Sequence, residues 1–132
     1  MSDMEKQIIH SHRELIVWQK AMDLVTIVYA CTENFPSSEM YGLTNQMRRA
    51  AVSIPCNIAE GRKRGSAKDY RQFLLIAYGS GAELETQLEI VGRLPFGKNI
   101  KLDREIGLLN EVMRMLNVMV TSLSSFPKKL KS

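Results

Sequence analysis

The sequence predicts an all-α fold, an antiparallel up-and-down four-helix bundle. Three observations predict it. Four segments place apolar residues at alternating spacings of three and four, the period of one helix face. No segment shows the period-two alternation of a half-buried strand. Short stretches marked by proline and glycine separate the four, and short connections make consecutive helices antiparallel neighbours.

The first segment aligns Leu15, Trp18, Met22, Val25 and Tyr29 and ends near Phe35-Pro36. The second aligns Leu43, Met47, Ala50, Ile54 and Ile58. Pro55 lies inside it, and its missing N–H predicts a kink or local break there. Gly61 is a natural stop. The third opens with Ser66 as an N-cap and Asp69 three residues on, a weak capping box. Its seam is Tyr70, Leu74, Ala77, Gly81, Leu84, Leu88 and Val91, and it stops at Gly92 ahead of Pro95 and Gly97. The fourth starts near Asp103, aligns Ile106, Leu109, Met113, Leu116, Val120 and Leu123, and ends at Phe126-Pro127. The tail KKLKS is expected to fray.

All 132 residues fit one domain, with residues 1–12 and 127–132 expected to be flexible. Apolar residues make up 45% of the chain and charged residues 24%, the balance of an ordinary folded domain and not of a disordered one. Two segments carry more apolar surface than one core requires. The first has a second stripe at Ala21, Leu24 and Val28, and the fourth has one at Leu102, Leu108, Val112, Met115 and Met119. Two faces on one helix fit an inner core plus a contact with another subunit, or a helix wedged between three neighbours.

No stretch reaches the roughly 18 apolar residues of a membrane span, and the start MSDMEKQIIHSH has no signal-peptide core. Cys31 and Cys56 sit among apolar neighbours, which predicts reduced, buried thiols in a cytoplasmic protein.

No catalytic or metal-binding constellation is legible, and no cofactor is expected. Di-metal bundles need Glu-x-x-His pairs on inward faces. The only histidines are His10 and His12, ahead of the first helix and expected to be solvated, and none joins Glu83, Glu85 and Glu89. A Cys–His or Ser–His pair would have to use that N-terminal stretch. Gly79-Ser80-Gly81 lies inside a helical pattern and not after a strand, so it is no phosphate loop. Each glycine there costs a helix about 1 kcal/mol against alanine, and close helix–helix approach is the expected compensation.

Charge is unevenly spread. The net is +4 with a pI near 9.2. Residues 36–75 hold 7 basic and 3 acidic groups, whereas residues 1–35 hold 3 and 5. The excess gathers at Arg62, Lys63, Arg64 and Lys68, with Arg71 one turn on. If Ser66 caps the third helix, the amides of its first turn point into the same region, and amides beside cations make an anion site. Arg48 and Arg49 on the second helix add charge. Without interleaved aromatics, phosphate contact with strong salt dependence is the form that binding takes. A solvated loop whose charges only keep it exposed is the alternative.

Three stretches carry a resemblance: VWQKAMDLV, then YGLTNQMRRAAVSIPCNIAEG, then GSAKDYRQFLLIAYGSGAELETQLEI. Over about residues 13–125 the chain resembles the bacterial four-helix-bundle family named for intervening sequences within 23S ribosomal RNA genes. The resemblance implies a ring, commonly a homopentamer, and kinship with the accessory variability determinant of diversity-generating retroelements. That relative works beside a reverse transcriptase and has a basic surface suited to RNA or DNA. The matching positions include Arg48, Arg49, Ser53, Pro55, Asn57, Glu60, Gly61, Arg64, Ser66, Ser80, Glu83 and Gln87. On them, Asn57 is expected to bond a carbonyl that Pro55 leaves free, and Glu60 and Glu83 to pair with Arg48 or Arg49. The connection VGRLPFGKN departs from the family pattern. The functional expectation is a non-enzymatic ring that binds nucleic acid, or a nucleic-acid-processing protein, through Arg62, Lys63, Arg64, Lys68 and Arg71, with Arg48 and Arg49 second. The alternative is a protein-interaction scaffold with incidental charge.

Overall fold

The computed structural model describes residues 11–131, with side chains described as far as Ser124. Residues 1–10, His10 among them, lie outside that range. The described residues form four α-helices and no strand: α1 (Ile16–Thr32), α2 (Asn45–Arg62), α3 (Ala67–Arg93) and α4 (Asp103–Lys131). Each helix packs on two others in the cyclic order α1, α2, α3, α4 and back to α1. Residue pairs across each seam run in opposite senses along neighbours. Gly61 of α2 faces Phe73 of α3 while Ser53 faces Ser80, and Arg71 of α3 reaches Val120 of α4 while Gly81 faces Met113. The arrangement is therefore antiparallel throughout. No helix among the described residues is long and apolar enough to cross a membrane.

The core is aliphatic. Leu24, Met47, Ile54, Ile58, Leu74, Leu84, Leu88, Leu109 and Leu116 are all fully enclosed, each stabilising the fold by about 1.5–3 kcal/mol relative to exposure. The seams of α2 and α3 are the ones their periodicity predicts. On α1 the two stripes exchange roles. Ala21, Leu24 and Val28, read as secondary, are completely buried, whereas Met22 and Tyr29 of the expected seam stay about 40% exposed. On α4, Ile106 is exposed, and Val112 of the second stripe, with Leu102 just ahead of the helix, joins Leu109 and Leu116 inside. Both stripes satisfy the same helical period, so periodicity cannot rank them; the positions of two neighbouring helices can.

Local chemistry sets the ends. Ser66 is extended at the head of α3, and its Oγ accepts the Asp69 amide at 3.1 Å, the expected cap. Helix α2 continues through Pro55 with no break, and the irregular backbone lies earlier, at Gly42 (φ −108°, ψ −110°) inside the π-helical turn Met40–Thr44. Nor does Asn57 serve the carbonyl Pro55 leaves free, which is that of Ala51. Its Nδ2 donates to the Ser53 carbonyl at 2.8 Å and to Ser53 Oγ at 3.0 Å. Helix α4 does not stop at Phe126-Pro127; its backbone stays helical to Lys131.

Gly61 is no helix stop. It lies within α2 with negative φ, and a Cβ there would sit 2.7 Å from Phe73 Cβ, so it marks a close approach of α2 and α3. Of the paired glycines in α3, Gly81 faces Met113 across the α3–α4 seam, whereas Gly79 faces open space. Close approach accounts for one of them. The third connection carries a 3₁₀ turn, Pro95–Gly97, and sets Phe96 edge-on against buried Phe35 with centroids 5.1 Å apart.

The cysteines depart from expectation. Both are free, Cys56 is exposed and Cys31 is half-buried. Position 56 falls on the outer side of α2, between the core residues Ile54 and Ile58. Burial, helped by the Glu105 carboxylate, pushes the Cys31 thiol up to about 11.

Candidate nucleic-acid interface

The turn joining α2 to α3 forms one end of the bundle, and most of the expected cations lie there. Lys63 follows α2, its amide bonded back to the Glu60 carbonyl, and is exposed. Lys68, in the first turn of α3, is exposed too. Neither has an ion-pair partner among the described residues. Arg62 is half-buried against Tyr70, and its buried Nε–H has no hydrogen-bond acceptor among the described residues. Arg64 is partly engaged: it meets Glu60 at 3.5 Å and lies over the Phe73 ring at 4.7 Å. That exposed ion pair contributes well under about 1 kcal/mol. Arg71 turns away from the loop, and its Nε donates to the Val120 carbonyl of α4 at 3.2 Å.

The N-terminal turn adds charge that the loop alone does not reveal. His12–Glu14 form a 3₁₀ turn capped by Ser11, whose Oγ accepts the Arg13 amide at 3.1 Å, and the turn packs on α2. Arg13 stands over Trp18 at 5.8 Å, and His12 packs edge-on against the same ring at 5.1 Å. Desolvation first, then the charges of Lys63 and Arg13, hold His12 below the usual imidazole value. Burial accounts for most of that depression, and the two cations add to it. Aromatic rings do accompany the basic loop, then, contrary to the reading from the sequence. Tyr70 and Phe73 follow the loop in the chain, on the first turns of α3, whereas Trp18 comes from α1 and no local run of residues announces it.

Arg48 and Arg49, adjacent in sequence, lie in different surroundings. Arg48 closes the end of α1. Its Nε donates to Thr32 Oγ1 at 2.8 Å, its Nη2 reaches the Tyr29 carbonyl at 3.4 Å and Glu33 at 3.3 Å, and its guanidinium covers the Tyr29 ring at 4.5 Å. Its carboxylate partner is Glu33 and not Glu60 or Glu83, because Glu60 pairs with Arg64. Arg49 is exposed and has no ion-pair partner among the described residues. It stands between two hollows. One, of about 440 Å³, is lined by Tyr41, Asn45, Gln46, Arg49, Ser53, Ser80 and Glu83. The other, of about 450 Å³, adds Tyr29 and Arg48 and shares Asn45, Arg49 and Ser53. Ser53 and Ser80 form the floor, their hydroxyls 2.8 Å apart. A third groove, of about 610 Å³ between α1 and α4, is apolar, lined by Leu15, Ile16, Val17, Met115, Val118 and Met119.

A four-helix frame with exposed lysines at one end defines the class, a small helical bundle. The chain belongs to the 23S rRNA-intervening sequence protein family, whose model matches residues 13–118. No curated protein matches it.

Proposed function

We propose that the chain is a non-enzymatic bundle that binds nucleic acid, or a nucleoprotein, through its basic end and works as a homo-oligomeric ring in the bacterial cytoplasm. One observation carries the binding reading. Lys63 and Lys68 are exposed without an ion-pair partner among the described residues, and exposed Arg13 joins them from another segment. Cations placed so are available to phosphate oxygens, which neutralise their charge. A ring of five would carry a net charge of about +20, letting weak single contacts add. Titrating labelled RNA and duplex DNA across a salt series tests this. Tight binding with a steep salt slope is expected. No binding at about 50 mM salt removes the proposal.

The apolar groove between α1 and α4 favours the second reading, a protein-contact surface. Ile16 and Val118 beside it are 59% and 67% exposed, and apolar surface gathered in one groove suits a subunit or partner. Light scattering after size exclusion tests the ring, and a species near 15.0 kDa would leave only the monomer.

A further inference from the structure

We infer that the double hollow around Arg49 is a second binding site, one that takes an unpaired nucleotide of a single-stranded nucleic acid. This rests on the nucleic-acid reading above and adds a place and a preference to it. The hollows lie on the N-terminal half of α2. Arg49 is 13 residues from Arg62, which at about 1.5 Å per residue is roughly 20 Å along the helix. The groove is thus separate from the basic end.

Its lining suits a base better than a bare phosphate. Tyr41 stands at the rim of one hollow with 93% of its surface exposed, its ring open to a stacking partner. Tyr29 lines the other, one face already covered by Arg48. Asn45 and Gln46 bring amides that both donate and accept, the functional groups that read base edges. Arg49 has no ion pair among the described residues and lines both hollows, in position for the phosphate on either side. Glu83 closes the far side. A carboxylate there repels a free polyanion but accepts from the exocyclic amine of a base. A volume of about 440 Å³ falls in the range of small-ligand sites. Duplex bases are stacked and paired, so the site favours single strands.

The test uses the full chain and two labelled probes, a single-stranded RNA of about 12 nucleotides, within the span of known single-strand sites, and a duplex DNA. Tyr41→Ala and Arg49→Ala are each expected to weaken single-strand binding at least about fivefold, the low end for removing one base-stacking partner. Duplex affinity should hold in Tyr41→Ala, Tyr41→Phe should keep single-strand affinity, and the melting temperature should not move because both side chains are exposed. Joint alanine replacement of Arg62 and Lys63 should weaken both probes. Unchanged single-strand affinity in Tyr41→Ala overturns the inference and leaves the basic-end reading intact. Failure of the wild type to bind either probe removes both.

Discussion

The basic end and the Arg49 groove both bring arginines to the surface, but by different routes. At the basic end the charges are contiguous in sequence, and folding withdraws some of them. Arg71 is bonded to the backbone of α4 and Arg64 is shared with Glu60 and Phe73, while Lys63 and Lys68 remain open. In the groove, folding does the gathering. Tyr41 precedes α2, Arg49 and Ser53 lie on it, and Ser80 and Glu83 come from α3, 27 or more residues further along the chain than Ser53. A run of like charge thus overstates the number of cations free to bind, whereas a mixed polar groove leaves no local trace at all.

The largest effect that would sharpen this contrast is on binding. Joint alanine replacement of Arg62, Lys63 and Lys68 should lower nucleic-acid affinity across all sequences and reduce the salt slope by about three, one for each phosphate-binding cation removed. An unchanged slope, read from a salt titration, would break the contrast. Stability comes next. Arg48→Ala removes the part-buried charged hydrogen bond to Thr32 Oγ1, worth about 1.5–3 kcal/mol, with two exposed contacts that add little, and should lower the urea midpoint clearly. Arg62→Ala, which removes an unsatisfied N–H, should leave the midpoint nearly unchanged. Equal losses would show that both arginines are structural.

Two glycines provide a smaller, paired comparison. Gly61→Ala drives a Cβ into Phe73 Cβ, and overpacking of that kind costs about 1–3 kcal/mol. Gly79→Ala meets nothing and should gain up to about 1 kcal/mol in helix propensity. Chemical denaturation reads both signs.

The smallest effect is on His12. Its pKa should titrate below 6.5 by NMR and rise toward it in Lys63→Ala. Since the folded value is the depressed one, the unfolded chain binds more protons near pH 6, so this group's contribution to stability grows as pH rises and fades on acidification. Bound phosphate should reverse the shift, because a nearby anion favours the imidazolium.

Much was legible because it rests on interactions within one segment. The Ser66 cap, the four helices and the enclosed seams of α2 and α3 follow from residues three or four apart. Asn57 and Pro55 were misjudged because a free carbonyl and a nearby amide suggest a bond, yet the i−4 carbonyl, that of Ser53, lies closer to hand. The pairing of Arg48 with Glu33 was missed because it depends on where the end of α1 meets the start of α2. The same holds for Arg13 and His12, which reach the basic loop only after the N-terminal turn packs on α2.

The sequence by itself determined the helix count, the approximate helix limits and the basic character of the α2–α3 turn, since helical period, capping and charge are local properties. Tertiary structure decided which of two equivalent stripes on α1 became core, which glycines marked close approach, which arginines stayed open and that a polar groove exists beside Arg49. Those outcomes depend on which segments meet across the bundle. That is set by the packing of all four helices at once, and no single stretch of sequence contains it.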